Sequence, residues 1–557
     1  MTNAELASVF SALAKLLEYH GENVFKIRSY ATAADVIRKG NVAFGALDRA
    51  ELLATEGIGK AIADKILELG ETGQLELYAR TLDKTPSVVP ELLSIKGVGV
   101  KKVRQLVEEL GIQSVGELRQ AIDENRVVEL RGFSTKTQDK LRDQLAFHES
   151  AKGRLRYADA IRIAGPLLDG FRQNARRVAY TGALRRQCNV VETLDFLAVA
   201  DDPFYVGLTK SGYTMNGSDA APCYVSASGT SPVVRVFATS AEDWGRVWCR
   251  TTGAEEYLSA NPGLVRQLEA GTGAIAREET VFANAGLPYC PAPQRELESP
   301  APPTPAGEVI TPEDIRGVVH AHTTASDGSA SLEVLAKAAR ERGYTYLTVT
   351  DHSRAAGYAN GLSVERLRRQ AVEIDDFNAL HPELRVFKGT ECDILRDGRL
   401  DYPDDVLAEL DIVIASVHSV LTMGSADATA RLLRAISNPY VTMLGHPTGR
   451  LLLSREGYAP DMTAVLEACA EHEVAIEINA SPMRLDLDWR YVPPAVELGV
   501  KISINPDAHS TLHLDNTRFG VYAAQKAGLR PEDCLNCLGA DEFAGYLAAR
   551  RRRRVGS

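Results

Sequence analysis

Long hydrophobic runs are missing from this chain. Nowhere does it hold the roughly eighteen consecutive apolar residues that a membrane-spanning helix needs, so no membrane association is expected. The opening stretch MTNAELASVF lacks the charged-then-apolar layout of a secretion signal, and the expected location is the cytoplasm. Cysteine is sparse: eight in 557 residues cannot form a disulfide framework, and Cys534-x-x-Cys537 has no second pair to complete a metal site, so it reads as reduced structural thiols. An excess of positive charge is absent too. The formal net charge of -11 excludes a uniformly basic nucleic-acid binder but permits local patches, of which Arg550 to Arg554 is one, readable equally as a solvated tail. The length accommodates three or four domains.

What is present is histidine in a pattern. Of eleven His, six (His320, His322, His352, His418, His446 and His509) directly follow short apolar runs that read as strands, whereas His20, His148, His381, His472 and His513 do not. His320-x-His322 at a strand end puts both rings on one face, because strand side chains alternate with period 2. Asp327, Glu391 and Asp507 stand in comparable positions. Imidazole and carboxylate together form the donor set of zinc, manganese or iron, and helical stretches such as 332–342 and 364–378 separate the strands as βαβ units require. Polar groups at strand C-termini are the functional face of a β/α barrel.

The amino-terminal part has a repeat of its own. Thr-Glu-Gly57-Ile-Gly59-Lys60 returns as Ile-Lys-Gly97-Val-Gly99-Val-Lys101-Lys102, and a weaker copy runs through Leu130-Arg-Gly132-Phe-Ser-Thr-Lys136. Gly-x-Gly ahead of a lysine-rich helix start lets backbone amides approach a phosphate. Such elements resemble helix-hairpin-helix motifs, which grip the DNA backbone without reading sequence. The stretch from Cys290 to Gly307 is Pro-rich without apolar period, and reads as an extended, semi-rigid spacer that holds the last module at a distance.

HAHTTASDG, TDHS, the Glu391 segment, SVHS, GHPTGR and NPDAHS together resemble the PHP (polymerase and histidinol phosphatase) domain, a distorted β/α barrel that binds up to three metals and hydrolyses phosphoesters. The resemblance implies His320, His322, Asp327, His352, Glu391, His418, His446, Asp507 and His509 as ligands of divalent metals (Zn, Mn or Fe), with Glu391 bridging two of them. Asp351 is expected to orient a ligating imidazole, and Arg450 and Lys388 to neutralise substrate phosphate.

Hairpins, an α/β region and PHP in this order resemble the bacterial family X DNA polymerases. The implied fold is multidomain: α-helical helix-hairpin-helix domains, an α/β nucleotidyltransferase-like palm, and a C-terminal distorted β/α barrel. The expected segments are 1–85, lyase-like with one hairpin; 86–150, fingers with the second; 151–290, a degenerate palm and thumb; 291–308, the linker; and 309–557, the PHP barrel. The resemblance places Lys65 at a Schiff-base lysine, Tyr30 at a DNA-contacting tyrosine, and Gly57, Gly59, Lys60, Gly97, Gly99, Lys101 and Lys102 on DNA. In the palm it implies nucleotide or phosphate binding by Gly182, Arg185 and Arg186, and metal binding by Asp195. Here the chain departs from the family: Ala183 replaces the phosphate-holding serine, Thr193 the first aspartate, and Val233 the third. Two-metal phosphoryl transfer needs carboxylates from more than one position. Glu192 is adjacent, but strand neighbours face opposite ways.

The expected activity is therefore metal-dependent 3'-5' exonuclease or phosphodiesterase chemistry in the barrel, acting in DNA repair on gapped, nicked or primer-template DNA irrespective of sequence, by a monomer whose use of dNTPs is weakened or lost. The alternative is an active gap-filling polymerase using manganese or magnesium. A small-molecule phosphatase of the histidinol phosphate type and a non-catalytic DNA-binding scaffold complete the set.

Overall fold

Apolar residues at helical spacing build the first of two compact units, Met1–Lys152. The computed structural model describes residues 1–216, 222–227, 232–270, 273–296 and 303–556. Helices Asn3–Tyr19, Val24–Lys39 and Lys60–Thr72 enclose a core containing Phe10, Leu13, Ile37 and Ile66. Helices Val100–Glu108, Val115–Asp123 and Thr135–Ala151 enclose a second around Val103, Leu106, Leu118 and Leu141. The turns before Lys60 and Val100 are alike. Gly57 and Gly97 sit at φ +86° and +79°, a region that strains residues with a side chain, and the next amides, of Ile58 and Val98, bond back to Thr55 and Ile95 at 3.1 and 3.2 Å. The weaker copy has the same turn, with Gly132 at φ +88° and Phe133 bonded to Leu130 at 3.0 Å.

The second unit, Gly153–Ser557, holds two larger sheets beside a two-stranded pairing of Leu155–Arg156 with Val190–Val191. The first comprises β1 (Arg177–Tyr180), β2 (Thr193–Val199), β3 (Thr214–Asn216), β4 (Cys223–Val225) and β5 (Val233–Ala238), in the order β1-β2-β5-β4-β3. β2 and β5 run parallel, with Thr193 opposite Val233 and Asp195 opposite Arg235.

The second sheet is wholly parallel: β6 (Gly317–Val318), β7 (Tyr346–Val349), β8 (Arg385–Asp393), β9 (Ile412–Ser416), β10 (Met443–Leu444), β11 (Ala475–Asn479) and β12 (Ile502–Asn505), adjacent in chain order. Its strands are buried along nearly their whole length, which is why they read as continuous apolar runs instead of alternating ones. A bridge between Ala321 and Ala508, with the His322 amide 2.8 Å from the Ala508 carbonyl, joins the first strand's extension to the last and closes the barrel. Helices Leu332–Glu341, Val364–Leu380, Ser425–Ile436 and Met462–Glu471 lie between the strands.

Two expectations are corrected. The Pro-rich segment does not hold the barrel away from the palm. Residues 297–302 lie outside the described ones, but Gln294 and Thr304 on either side exchange two hydrogen bonds of 2.9 and 3.0 Å. Leu485 and Phe519 of the barrel belong to the same apolar core as Leu194 and Phe196 of the palm. Burial of shared apolar surface outweighs the stiffness of a proline-rich connection.

Arg550 to Arg554 does not form a solvated tail: it is the last part of a helix, with Arg550 buried and Arg551 to Arg553 exposed. The helix Ala540–Val555 stacks Phe543 on Tyr346, 4.8 Å between ring centres. Arg550 donates to the carbonyls of Glu473 and Val441, Arg551 to Leu410 at 3.1 Å, and Arg554 to Ser437 at 3.2 Å. Ser437 and the neighbourhood of His472 are helix C-termini, where exposed carbonyls attract cations. Arg550, Arg551 and Arg554 thus meet carbonyls at the barrel end opposite the strand C-termini. All eight cysteines are free thiols, and a hydrogen bond that the Cys537 thiol makes with Cys534, together with burial, pushes the Cys537 thiol up. Among the described residues no helix is long and apolar enough to cross a membrane.

Candidate metal centre and DNA-binding elements

The C-terminal ends of the barrel strands carry side chains to one mouth. The nine residues singled out from the sequence meet there, organised by Glu391, which is 1% exposed. Its Oε2 lies 3.0 Å from His352 Nδ1, 3.4 Å from His320 Nε2 and 3.6 Å from His322 Nε2; its Oε1 lies 2.9 Å from His446 Nε2 and 3.2 Å from His418 Nε2. Asp507 Oδ1 is 3.2 Å from His322 Nε2, and Asp327 Oδ2 is 3.4 Å from His509 Nε2. His446 and Asp507 hold left-handed φ values of +22° and +50°, strain of the kind that persists where surrounding contacts over-determine a site.

Three donor groups emerge, each with its ligand atoms within 4.8 Å of one another: His322, Asp327, His352 and His509; His320, His322 and Glu391; His352, Glu391 and His418. The residues fit divalent cations. His320 Nε2, His322 Nδ1 and His352 Nδ1 are buried and make no aligned hydrogen bond even though carboxylate oxygens stand close, and the rings of His352 and His509 crowd His322 at 4.4 and 4.3 Å. Buried polar atoms without partners are costly, and imidazole with carboxylate is a donor set that relieves them by ligation.

Electrostatics keep the carboxylates charged. Against burial, which raises it, His509 holds Asp327 at about 2, and His418 and His320 hold Glu391 well below the usual range. Against burial, which lowers it, Glu391 and Asp393 lift His418 to about 10. Burial and then His509 and His352 depress His322 to about 4, leaving it neutral.

Glu477 is the residue that sequence reasoning missed. It sits in β11 with no exposed surface, and its Oε1 lies 2.7 Å from His320 Nδ1 while its Oε2 accepts from the His446 amide at 2.7 Å. An acidic residue inside the apolar run Val-Ala-Ile-Glu-Ile was the available signal. Asp393 plays a similar part at 3.3 Å from His418 Nδ1. Asp351, in contrast, touches no ligand imidazole. It accepts from the amide and hydroxyl of Thr323, the Ser326 hydroxyl and Gln370, and so ties down the loop after His322. Arg450 is engaged by Asp488 at 2.6 Å and by the Arg484 carbonyl at 3.0 Å, and Lys388 by Asp375 at 2.9 Å on a covering helix. Neither faces the cluster; the arginine that does is Arg484, whose Nε is 3.8 Å from Asp507 Oδ2.

In the palm, Asp195 is held on both oxygens by Arg235, at 2.7 Å each, with Thr193 Oγ1 at 3.1 Å. Among the described residues, the face bearing these groups offers a single carboxylate, since Glu192 turns away to Arg154 at 2.8 Å. Gly182, at φ +56°, packs where a Cβ would strike the Asp195 carboxylate. Arg185 and Arg186 are both engaged by carboxylates of the protein itself. Arg185 pairs with Glu278, itself shared with buried Arg295, and stacks over Trp248 at 3.3 Å; Arg186 pairs with Glu296, which also meets Lys526 of the barrel at 3.3 Å. Gly182, Arg186, Asp195, Arg235, Glu296 and Lys526 border a cleft of about 600 Å³ between palm and barrel.

In the first unit, helices Lys60–Thr72 and Val100–Glu108 begin after Gly59 and Gly99 without any side-chain cap, so their first amides stay available to an anion, and Lys60 and Lys101 are exposed beside them. The third copy differs. Ser134 caps its helix by accepting from the Thr137 amide, which closes that terminus. Phe25, Arg28, Tyr30, Gly57, Gly59 and Lys60 line a groove of about 740 Å³, with Tyr30 buried against Phe10 at 5.9 Å. Lys65 is paired with Glu68, three residues on in the same helix.

Two hairpin units and a histidine-rich parallel barrel define a DNA-acting enzyme of the PHP class. Residues 1–75 match the helix-hairpin-helix domain family, 89–146 the SAM-like helix-hairpin-helix tandem, and 319–481 the PHP domain. The chain is 32% identical to the DNA polymerase/3'-5' exonuclease PolX of Bacillus subtilis, over 98% of this chain and 99% of that protein. It belongs to the bacterial family X DNA polymerases with a C-terminal PHP domain. Its barrel region alone is similar to a probable phosphatase of Caldanaerobacter subterraneus (30% identity, 42% of this chain, 91% of that protein) and to one of Vibrio parahaemolyticus (30%, 42% and 94%).

Proposed function

We propose that the barrel is a metal-dependent DNA phosphodiesterase working as a 3'-5' exonuclease, and that the palm serves as a clamp that has lost polymerase activity. The observation that carries this reading is the convergence of eight His and Asp side chains around Glu391 at one barrel mouth, with buried imidazole nitrogens that make no aligned hydrogen bond. Divalent metals bound there supply Lewis-acid polarisation of the phosphate and activation of a water. The protein's own part is to hold the ligands. Glu391 offers both oxygens between donor groups, Glu477 accepts from His320 Nδ1 and so turns Nε2 towards the cluster, and Asp393 does the same for His418. The uncapped helix starts after Gly59 and Gly99 hold the DNA backbone without reading bases.

The palm reading is supported by the Asp195–Arg235 pair and by the internal engagement of Arg185 and Arg186. A gap-filling polymerase using manganese is the second reading, favoured by the retention of Asp195 beside an open cleft. The domain borders that go with the proposal are 85/86, 150/151, 290/291 and 308/309, with the protein a cytoplasmic monomer. A primer-template assay with manganese and dNTPs tests both readings. Primer shortening lost in His320→Ala and kept in Asp195→Ala is expected; extension lost in Asp195→Ala would establish the palm as the polymerase.

A further inference from the structure

Beside the metal cluster, the loop between His352 and Leu362 is fixed from several directions. Asn360, at φ +55°, donates from Nδ2 to the carbonyls of Ala325 and Ser326 at 3.1 and 3.2 Å, and Arg366 donates to the Asn360 carbonyl at 3.1 Å. The Tyr402 hydroxyl donates to the Leu362 carbonyl at 2.6 Å, and Gly361 leaves no room for a Cβ against the Ser353 carbonyl. Ala356 and Ala359 are buried. Tyr358, between them, is 73% exposed, yet its ring centre stands 6.2 Å from that of His352 and 6.3 Å from that of His418. A large ring held in water by a pinned loop gains little from burial, so folding does not account for it. It lies within reach of the base of a nucleotide whose phosphate rests on the cluster.

Resting on the nuclease reading above, we propose that Tyr358 is the platform on which the base of the nucleotide at the barrel mouth stacks, making it a specificity-determining residue for that site. Every base has a π-face, so stacking accepts all four and suits an enzyme that does not read sequence. Stacking on one aromatic side chain strengthens binding by roughly five- to a hundredfold, and a ligand without a base forfeits that gain. The hydroxyl has no part in this, so phenylalanine replaces tyrosine.

The test compares the manganese-loaded parent, Tyr358→Phe and Tyr358→Ala on two oligonucleotides, one ending in thymidine and one in an abasic residue. The same proteins are titrated with thymidine 5'-monophosphate and with deoxyribose 5-phosphate. In the parent and Tyr358→Phe the base-bearing member of each pair is expected to be favoured about tenfold in KM or Kd, with the preference close to one in Tyr358→Ala at unchanged metal content and Tm. Retention of the parent's preference in Tyr358→Ala overturns the platform. Cleavage with no base preference in the parent also overturns it while leaving the nuclease reading standing. A base preference in binding, lost in Tyr358→Ala, with no cleavage of either oligonucleotide supports the platform and removes the nuclease reading.

Discussion

Glu477 Oε1 and His320 Nδ1 lie 2.7 Å apart with neither side chain exposed to solvent, although they come from β11 and the end of β6, with four strands between them in the sheet order. Closure of the barrel brings them together. Glu477→Gln keeps the volume but gives up the charge that fixes the imidazole. Metal affinity is expected to fall about 10- to 100-fold, read by titration with a competing chelator, while secondary structure stays unchanged. Affinity equal to the parent's would make Glu477 a bystander.

Removing a central ligand is more severe. His320→Ala, or dialysis against a chelator, is expected to reduce DNA hydrolysis by at least about a hundredfold, and added manganese should restore the dialysed parent but not the variant. Asp195→Asn should leave that hydrolysis within about twofold, because its Arg235 partner makes it part of the palm's internal pairing. A matching fall in Asp195→Asn would show that the palm takes part in the hydrolysis.

Glu296 gives the palm–barrel contact a pH dependence. Against burial, which raises it, Lys526 and Arg186 lower its carboxyl from 4.5 to about 2. A folded value below the unfolded one means that the contribution is complete above pH about 4.5 and is lost as pH falls towards 2. It amounts to about 3 kcal/mol at most. Tm measured across this window should fall more steeply in the parent than in Glu296→Gln; parallel curves would show that the ion pairs contribute nothing.

Arg550 serves stability and not DNA binding. Arg550→Ala leaves the buried carbonyls of Glu473 and Val441 without their donor and should cost about 2 kcal/mol or more, seen as a lower Tm. DNA affinity should be unchanged, and a salt-dependent loss of affinity would restore the basic stretch as a DNA patch.

Lys60→Ala and Lys102→Ala should each weaken binding to all DNA sequences alike and lower the salt slope by about one. Ser134→Gly, at the capped third copy, should alter neither. Fluorescence anisotropy over a salt series distinguishes these outcomes, and a sequence-dependent loss would contradict a backbone grip.

What the sequence determined by itself was everything carried by local pattern. Fully apolar strand runs ending in His, Asp or Glu announced the barrel and nine of its mouth residues, because a strand's end and the side-chain alternation leading to it are fixed within a few residues. The Gly-x-Gly turns were legible for the same reason: a left-handed φ is a local demand. Tertiary structure decided which charge meets which. Asp351 braces a loop while Glu477 supports the imidazole, Arg185 and Arg186 are spent on Glu278 and Glu296, Arg450 and Lys388 turn away from the cluster, and the final arginines cap carbonyls at the barrel's far end. These partners lie tens to hundreds of residues apart in the chain, and no spacing rule reaches across that distance. The shared core of Leu194 and Phe196 with Leu485 and Phe519 likewise overrode the stiffness legible in the prolines, since apolar surface is buried wherever the folded faces match.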